Sequence, residues 1–344
     1  MAKVNAIFLG AGASAPEGAP LQGDLFKEYF KYHREHPVES RRAMDERLAT
    51  VFRDFFGIDV ESDDLEAVEF PTFEETLTMF DLATIKLESF RGCGADPISY
   101  ILQADLDLVF LIAVILDHKL EGECRYHASL VHKLVEQEQL RRTFFIDMNY
   151  DILADNALMR LWPEYVIDYG VELANMVDPG DSVPVRLFKL HGSLNWLYCP
   201  TCIELTLTPG EGKVAGLVFE PQVCAKCGTG IFPFMVPPSY FKLNYNLFLG
   251  NIWKRAEDEL MEADRYVFCG YSFPDADIYL KYLLKRVEMN RGATPDVIVI
   301  NDFEGKTQAQ RDVEISRYRR FFKDSSKVDF RIQTFEEFCA EGLP

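Results

Sequence analysis

Positive charge is scarce in this sequence: its 344 residues carry 36 Lys and Arg against 55 Asp and Glu, a formal net charge of −19. Nucleic-acid affinity rests mainly on cations that neutralise phosphates, so a grip on DNA or RNA is not expected. Long uncharged apolar runs are missing as well. The longest candidate, Leu106 to Leu116, lies between Asp105 and Asp117 and falls short of the roughly 20 apolar residues that a membrane span needs. The N-terminus has no basic region followed by a signal-type apolar core, since Val4 to Leu9 is too short for one. The expectation is a cytoplasmic globular protein without a membrane partner. No internal repeat or low-complexity segment is apparent, and only the Gly- and Pro-containing stretch Pro209 to Pro221 reads as a mobile loop.

A disulfide framework is absent too. Of the eight cysteines, Cys93, Cys124, Cys269 and Cys339 are scattered and read as small buried apolar residues. The other four form two CxxC knuckles, Cys199-Pro200-Thr201-Cys202 and Cys224-Ala225-Lys226-Cys227. Paired knuckles separated by a loop of this length are the signature of a tetrahedral structural zinc site. Four thiolates leave no open position for water, so this Zn2+ would be structural. Reduced thiols fit a cytosolic compartment. His127 and His132 with Glu136 do not share one helical face, and no function is assigned to them.

The apolar run Val4 to Leu9 leads into Gly10-Ala11-Gly12-Ala13-Ser14, a strand followed by a nucleotide-type glycine turn. From Leu21 to Arg142 the pattern becomes helical, with apolar residues at Phe73, Leu77 and Phe80 and again at Leu106, Phe110 and Val114. Strand-like runs then return at Thr143 to Met148, Val185 to Leu190, Arg265 to Cys269, Asp296 to Ile300 and Val328 to Ile332. Helical stretches at Leu153 to Leu161, Leu247 to Ala263 and Ala276 to Glu288 lie among them. Such alternation predicts an α/β fold, a Rossmann-like parallel sheet covered by helices. The expected division is a nucleotide-binding domain from 1–20, 141–196 and 233–344, a helical insertion at 21–140 and a zinc-ribbon module at 197–232. Ligands of open α/β sheets sit at the carboxyl ends of the strands. The turns Gly10 to Ser14, Asn149 to Asp151, His191 to Ser193, Gly270 to Ser272 and Asn301-Asp302 are therefore expected to converge on one crevice.

In order, Gly10-Ala11-Gly12-Ala13-Ser14, Asn149-Tyr150-Asp151, His191-Gly192, the four-cysteine ribbon, Gly270-Tyr271-Ser272 and Asn301 resemble the sirtuin superfamily. The resemblance covers the sheet and the ribbon and leaves out the long helical stretch. It departs from the deacylase branch at two places. That branch continues its glycine turn with Gly-Ile-Pro-Asp-Phe-Arg, whereas this chain reads Gly18-Ala19-Pro20-Leu21-Gln22-Gly23. After the zinc module, deacylases present Val-Phe-Gly-Glu to the substrate backbone, whereas this chain has Pro237-Pro238-Ser239-Tyr240. Two prolines cannot donate ladder hydrogen bonds to an added strand. The sequence looks more like the NAD-hydrolysing domains of bacterial defence proteins.

The resemblance implies NAD as substrate and a role for each matching residue. His191, whose residue type titrates near pH 6.5, would be the base acting on a ribose hydroxyl or a water. Asn149 would position water or the nicotinamide ribose, and Asp151 would accept from the nicotinamide amide. Each also has a bland reading, as an Asx turn or helix cap. Gly10, Ala11, Gly12 and Ser14 would cradle the pyrophosphate, with backbone N–H groups and the Ser14 hydroxyl donating to it. Gly270 and Ser272 would lie near the phosphates or ribose, and Asn301 at the adenine-side ribose. The expected activity is hydrolysis of NAD to nicotinamide and ADP-ribose, with a protein partner or homo-oligomer controlling it. The alternatives are an NAD-dependent protein-lysine deacylase or ADP-ribosyltransferase, and a non-catalytic NAD or ADP-ribose sensor.

Overall fold

A computed structural model describes residues 3–120, 122, 124–176, 180–208, 222–235, 247–275 and 277–344. The strands in chain order are β1 (Asn5–Leu9), β2 (Thr143–Asp147), β3 (Tyr165–Asp168), β4 (Val183–Lys189), β5 (Gly192–Cys199), β6 (Glu204–Leu207), β7 (Gln222–Val223), β8 (Gly230–Met235), β9 (Arg265–Cys269), β10 (Asp296–Ile300) and β11 (Val328–Arg331). The helices are α1 (Ala11–Ser14), α2 (Leu25–Glu35), α3 (Arg42–Phe56), α4 (Phe73–Lys86), α5 (Pro97–Lys119), α6 (Tyr126–Glu136), α7 (Leu153–Met159), α8 (Leu247–Glu262), α9 (Ile278–Arg291), α10 (Gln308–Phe321) and α11 (Phe335–Glu341).

Seven strands form one sheet in the order β11-β10-β9-β1-β2-β4-β3, and every neighbouring pair is parallel. The near-continuous apolar sequences of β1, β9 and β10 follow from burial on both faces: Ile7, Phe8, Val267, Phe268, Val297 and Val299 are all at most 1% exposed. This is the expected Rossmann-like sheet. The chain leaves β1 toward β2 on one side and later returns through β9 to build the other side. The switch point therefore lies between the carboxyl ends of β1 and β9, where an open α/β sheet offers its crevice.

Helices α2 to α5 hold a second core, centred on Phe26, Phe30, Phe52, Phe73, Leu108 and Leu111. The buried side chains of α6, Leu130, Val131 and Leu134, belong instead to the core around the sheet, where α6 packs against α7 and α11. The apolar run in α5 is longer than its flanking aspartates suggested. Its 23-residue helix has the length and composition to cross a membrane, and half of its most apolar window is buried within the fold. Asp107, inside the run, is 1% exposed. The Arg47 guanidinium donates to both of its oxygens at 2.6 and 2.9 Å. By sequence alone Asp105 and Asp117 mark the ends of the run, whereas the half-exposed Arg47 reaches in to pair the buried Asp107 and so keeps an acid inside a core helix. Four further strands form a separate antiparallel sheet in the order β6-β5-β8-β7, which carries the cysteine knuckles. The Pro209 to Pro221 loop and the Pro237-Pro238 stretch lie outside the described residues, as does Ala276 at the start of the expected helix of α9.

Candidate functional site

At the switch point the ends of β1 and β9 touch. The Gly10 N–H donates to the Cys269 carbonyl at 3.0 Å and the Gly12 N–H to the Gly270 carbonyl at 2.9 Å. Gly270 has φ +58°, and a Cβ there would lie 2.2 Å from Ala13 N and Gly12 C. The glycines thus let two loops cross at backbone contact. Because their N–H groups are spent on β9, Gly10 and Gly12 offer a ligand only their bare Cα surface, and donation to phosphate from these two amides is not what the structure shows.

Asn149 follows β2 and is held at both ends of its residue. Its backbone N–H donates to Asp147 Oδ1 at 2.9 Å, and its side-chain Nδ2 donates to the Gly10 carbonyl and to Ser14 Oγ, each at 3.0 Å. Ser14 Oγ in turn donates to Asp151 Oδ2 at 2.7 Å, while Asp151 Oδ1 accepts from the Leu153 N–H at 3.1 Å. Asp151 therefore makes the Asx turn that opens α7, and Ser14 belongs to a chain of bonds joining the glycine turn to this loop.

His191 sits at the junction of β4 and β5, 4% exposed. Its ring faces Tyr150 and Trp253, with centroids 6.2 and 6.4 Å away. The next residue must be glycine: Gly192 has φ +78°, and a Cβ would come within 2.2 Å of the Phe234 carbonyl on β8. The backbone turns there from the parallel sheet into the ribbon. Below the site lies a buried polar cluster. Lys189, 0% exposed, donates to Asp147 Oδ2 at 2.8 Å, to the Asp151 carbonyl at 2.6 Å and to Asp155 Oδ2 at 3.2 Å. Burial pushes the Asp147 carboxyl up to about 6 even though the Lys189 ammonium pulls it down. Burial alone would lower Lys189, but Asp147 and Asp155 hold it above the ordinary lysine value.

One cavity of about 800 Å³ gathers Gly10, Ala11, Gly12, Ser14, Asn149, Asp151, His191, Gly270, Ser272 and Asn301. The five expected turns do converge. Asn301 reaches it with its side chain already engaged, donating to Glu314 and accepting from the Phe303 N–H at 2.9 Å. Ser272 is exposed at the rim. Part of the wall comes from a source that the motifs did not indicate: Leu25, Phe73, Ile112 and Leu116 of the helical core line the same cavity. Tyr150, between Asn149 and Asp151, packs against that core. The bundle and the site thus share side chains, a fact that periodicity within α2 to α5 could not reveal. A lysine and an aspartate ending the apolar strands β4 and β2 were the available signal for the buried cluster.

The four cysteine Sγ atoms lie within 4.8 Å of one another. Cys199 and Cys227 are 3.6 Å apart, and Cys202 and Cys224 are 3.8 Å apart. These separations are too long for S–S bonds. Sulfurs placed about 2.3 Å from a central tetrahedral ion are about 3.8 Å from each other, so the donor set fits zinc. Cys199, Cys202, Cys224 and Cys227 would hold the ion in a closed structural role.

Glu17, Cys124 and His127 also approach one another. The Glu17 carboxylate, however, already accepts the N–H groups of Arg125, Tyr126 and His127 at 3.1, 2.7 and 3.3 Å. It caps the start of α6: burial pushes its carboxyl up, but the His127 side chain first and these backbone donors next hold it down at about 2.

No family model and no curated protein matches the chain. Solved sirtuin structures align over its length at low identity. A sirtuin structure concerned with substrate affinity has 14% identity, covers 98% of this chain and 92% of the other, and has a TM-score of 0.44. A Sir2 structure bound to a propionylated peptide has 14% identity, coverage of 98% and 91%, and a TM-score of 0.43. A mutant Sir2 homologue in complex with ADP-ribose has 16% identity, coverage of 98% and 88%, and a TM-score of 0.42.

Proposed function

We propose that this chain consumes NAD, hydrolysing it with water to nicotinamide, ADP-ribose and a proton. The observation that supports the reading is the meeting of His191, Asn149 and the glycine turn in one cavity at the sheet's switch point. Breaking the nicotinamide–ribose bond expels a neutral leaving group and leaves a cationic sugar, so the site needs no acid for departure. It needs one base and an ordered nucleophile. His191 takes the proton from water or from a ribose hydroxyl. Asn149 has its Nδ2 spent on Gly10 and Ser14, so its carbonyl oxygen is the end that orients the water or the ribose. Asp151 serves through its bond to Ser14, and Ala11, Gly12 and Gly270 let the phosphates lie close to the backbone. Ser272 and Asn301 mark the phosphate and adenine-ribose end. The ribbon's zinc takes no part in the chemistry. Unrestrained hydrolysis would drain cytoplasmic NAD, so control by a protein partner or a homo-oligomer, as in a defence enzyme, belongs to this reading.

The test is nicotinamide release by wild type, His191→Ala and Asn149→Ala, with NAD affinity measured separately. The reading expects both variants to bind NAD within about threefold of wild type while kcat falls about 100-fold or more. Binding without release by wild type would instead make the chain a sensor.

A further inference from the structure

Resting on that reading, we infer that Lys189 is a positioning residue that sets the spacing between Asn149 and His191. It does not face the cavity and cannot touch substrate. Its ammonium nevertheless brackets the segment Asn149-Tyr150-Asp151 from both sides. On one side it bonds Asp147 Oδ2 at 2.8 Å, and the other oxygen of that carboxylate holds the Asn149 N–H at 2.9 Å. On the other side it bonds the Asp151 carbonyl directly at 2.6 Å. A third bond, to Asp155 Oδ2 at 3.2 Å, fixes it to α7. Asp155 is itself held by the Tyr169 hydroxyl at 2.6 Å and by Asn195 Nδ2 at 3.2 Å, so the anchor does not give way. Lys189 lies two residues before His191, and the Leu190 N–H between them donates to the Asp147 carbonyl at 3.2 Å. One fully buried cation thereby ties the strand end carrying the base to the loop carrying Asn149. Displacement of about 1 Å between such groups can cost about 100-fold in rate.

A direct reporter stands beside this junction: Trp253 Nε1 donates to the Leu190 carbonyl at 3.0 Å. With three tryptophans in the chain, its indole N–H resonance is identified by Trp253→Phe. The experiment compares the full-length zinc-loaded wild type with Lys189→Met and with Lys189→Met combined with Asp147→Asn, which removes one charge of each sign. Melting temperature, the Trp253 indole resonance, and kcat and KM for nicotinamide release are measured on each. The expected result is that the double variant recovers most of the melting temperature lost by Lys189→Met. In both, the indole resonance stays displaced and kcat stays about 100-fold down, with KM within about threefold. Recovery of the indole resonance or of kcat in the double variant would reduce Lys189 to charge balance and overturn the inference. So would a Lys189→Met protein with an unmoved resonance. A wild type that releases no nicotinamide retires the hydrolase reading, while the indole resonance alone still decides the role of Lys189.

Discussion

Glu17→Gln probes how the glycine turn is anchored. Glu17 ends the 3-10 turn Ala15–Glu17 that follows α1, and its side chain is 3% exposed. Its carboxylate gathers three orphan N–H groups at the start of α6 and lies 3.4 Å from His127 Nδ1. Its carboxyl falls from an ordinary 4.5 to about 2 in the fold. At about 1.4 kcal/mol per pH unit, ionisation then contributes about 3 kcal/mol to stability at neutral pH. A glutamine carbonyl keeps part of the capping, so the expected loss is about 2 kcal/mol. Because the folded value lies below the unfolded one, the contribution is complete above pH 4.5 and is lost as pH falls toward 2. Urea unfolding of both proteins at a series of pH values from 7 to 3.5 should therefore show the difference at its largest at neutral pH and shrinking below 4.5. A difference that is zero at pH 7, or that grows on acidification, would refute the capping role.

Three other outcomes follow from the same geometry. The chain should bind one zinc, measured by atomic emission, and Cys224→Ser should lose it and lower the melting temperature. Gly192→Ala should cost about 3 kcal/mol or more, measured by urea unfolding, because it places a Cβ against the Phe234 carbonyl in the left-handed region. Asp105 is pushed up to about 7, first by burial and then by Asp81, and its Oδ1 has no hydrogen-bond partner among the described residues. Its folded value exceeds the unfolded one, so wild type loses stability as pH rises from about 4 to 7. The gain in melting temperature of Asp105→Asn should accordingly be larger at pH 8 than at pH 4.5.

The parts of the fold legible in the sequence are those where local pattern and burial agree. β9 and β10 coincide with the apolar runs Arg265 to Cys269 and Asp296 to Ile300, since central parallel strands must be apolar on both faces. The edge strand β3 escaped because its four residues alternate between buried and half-buried and give no continuous run. Pro184 is tolerated in β4 because it pairs only with Val166 of that edge, the β2 pairing beginning at Leu187. At the site, turn residues were legible as glycines and Asx types, but their bonds were not. The engagement of Gly10 and Gly12 with β9, and the wall supplied by Phe73 and Leu116, depend on contacts between segments far apart in the chain. Long-range pairings of this kind leave no local period to read.

Nicotinamide release from NAD by the purified zinc-loaded protein, with and without an acetylated lysine peptide and beside His191→Ala, separates hydrolysis from deacylation. Hydrolysis predicts release without peptide, ADP-ribose in equal amount, and loss of both in His191→Ala. Release that appears only with the peptide would contradict hydrolysis and make the chain a deacylase.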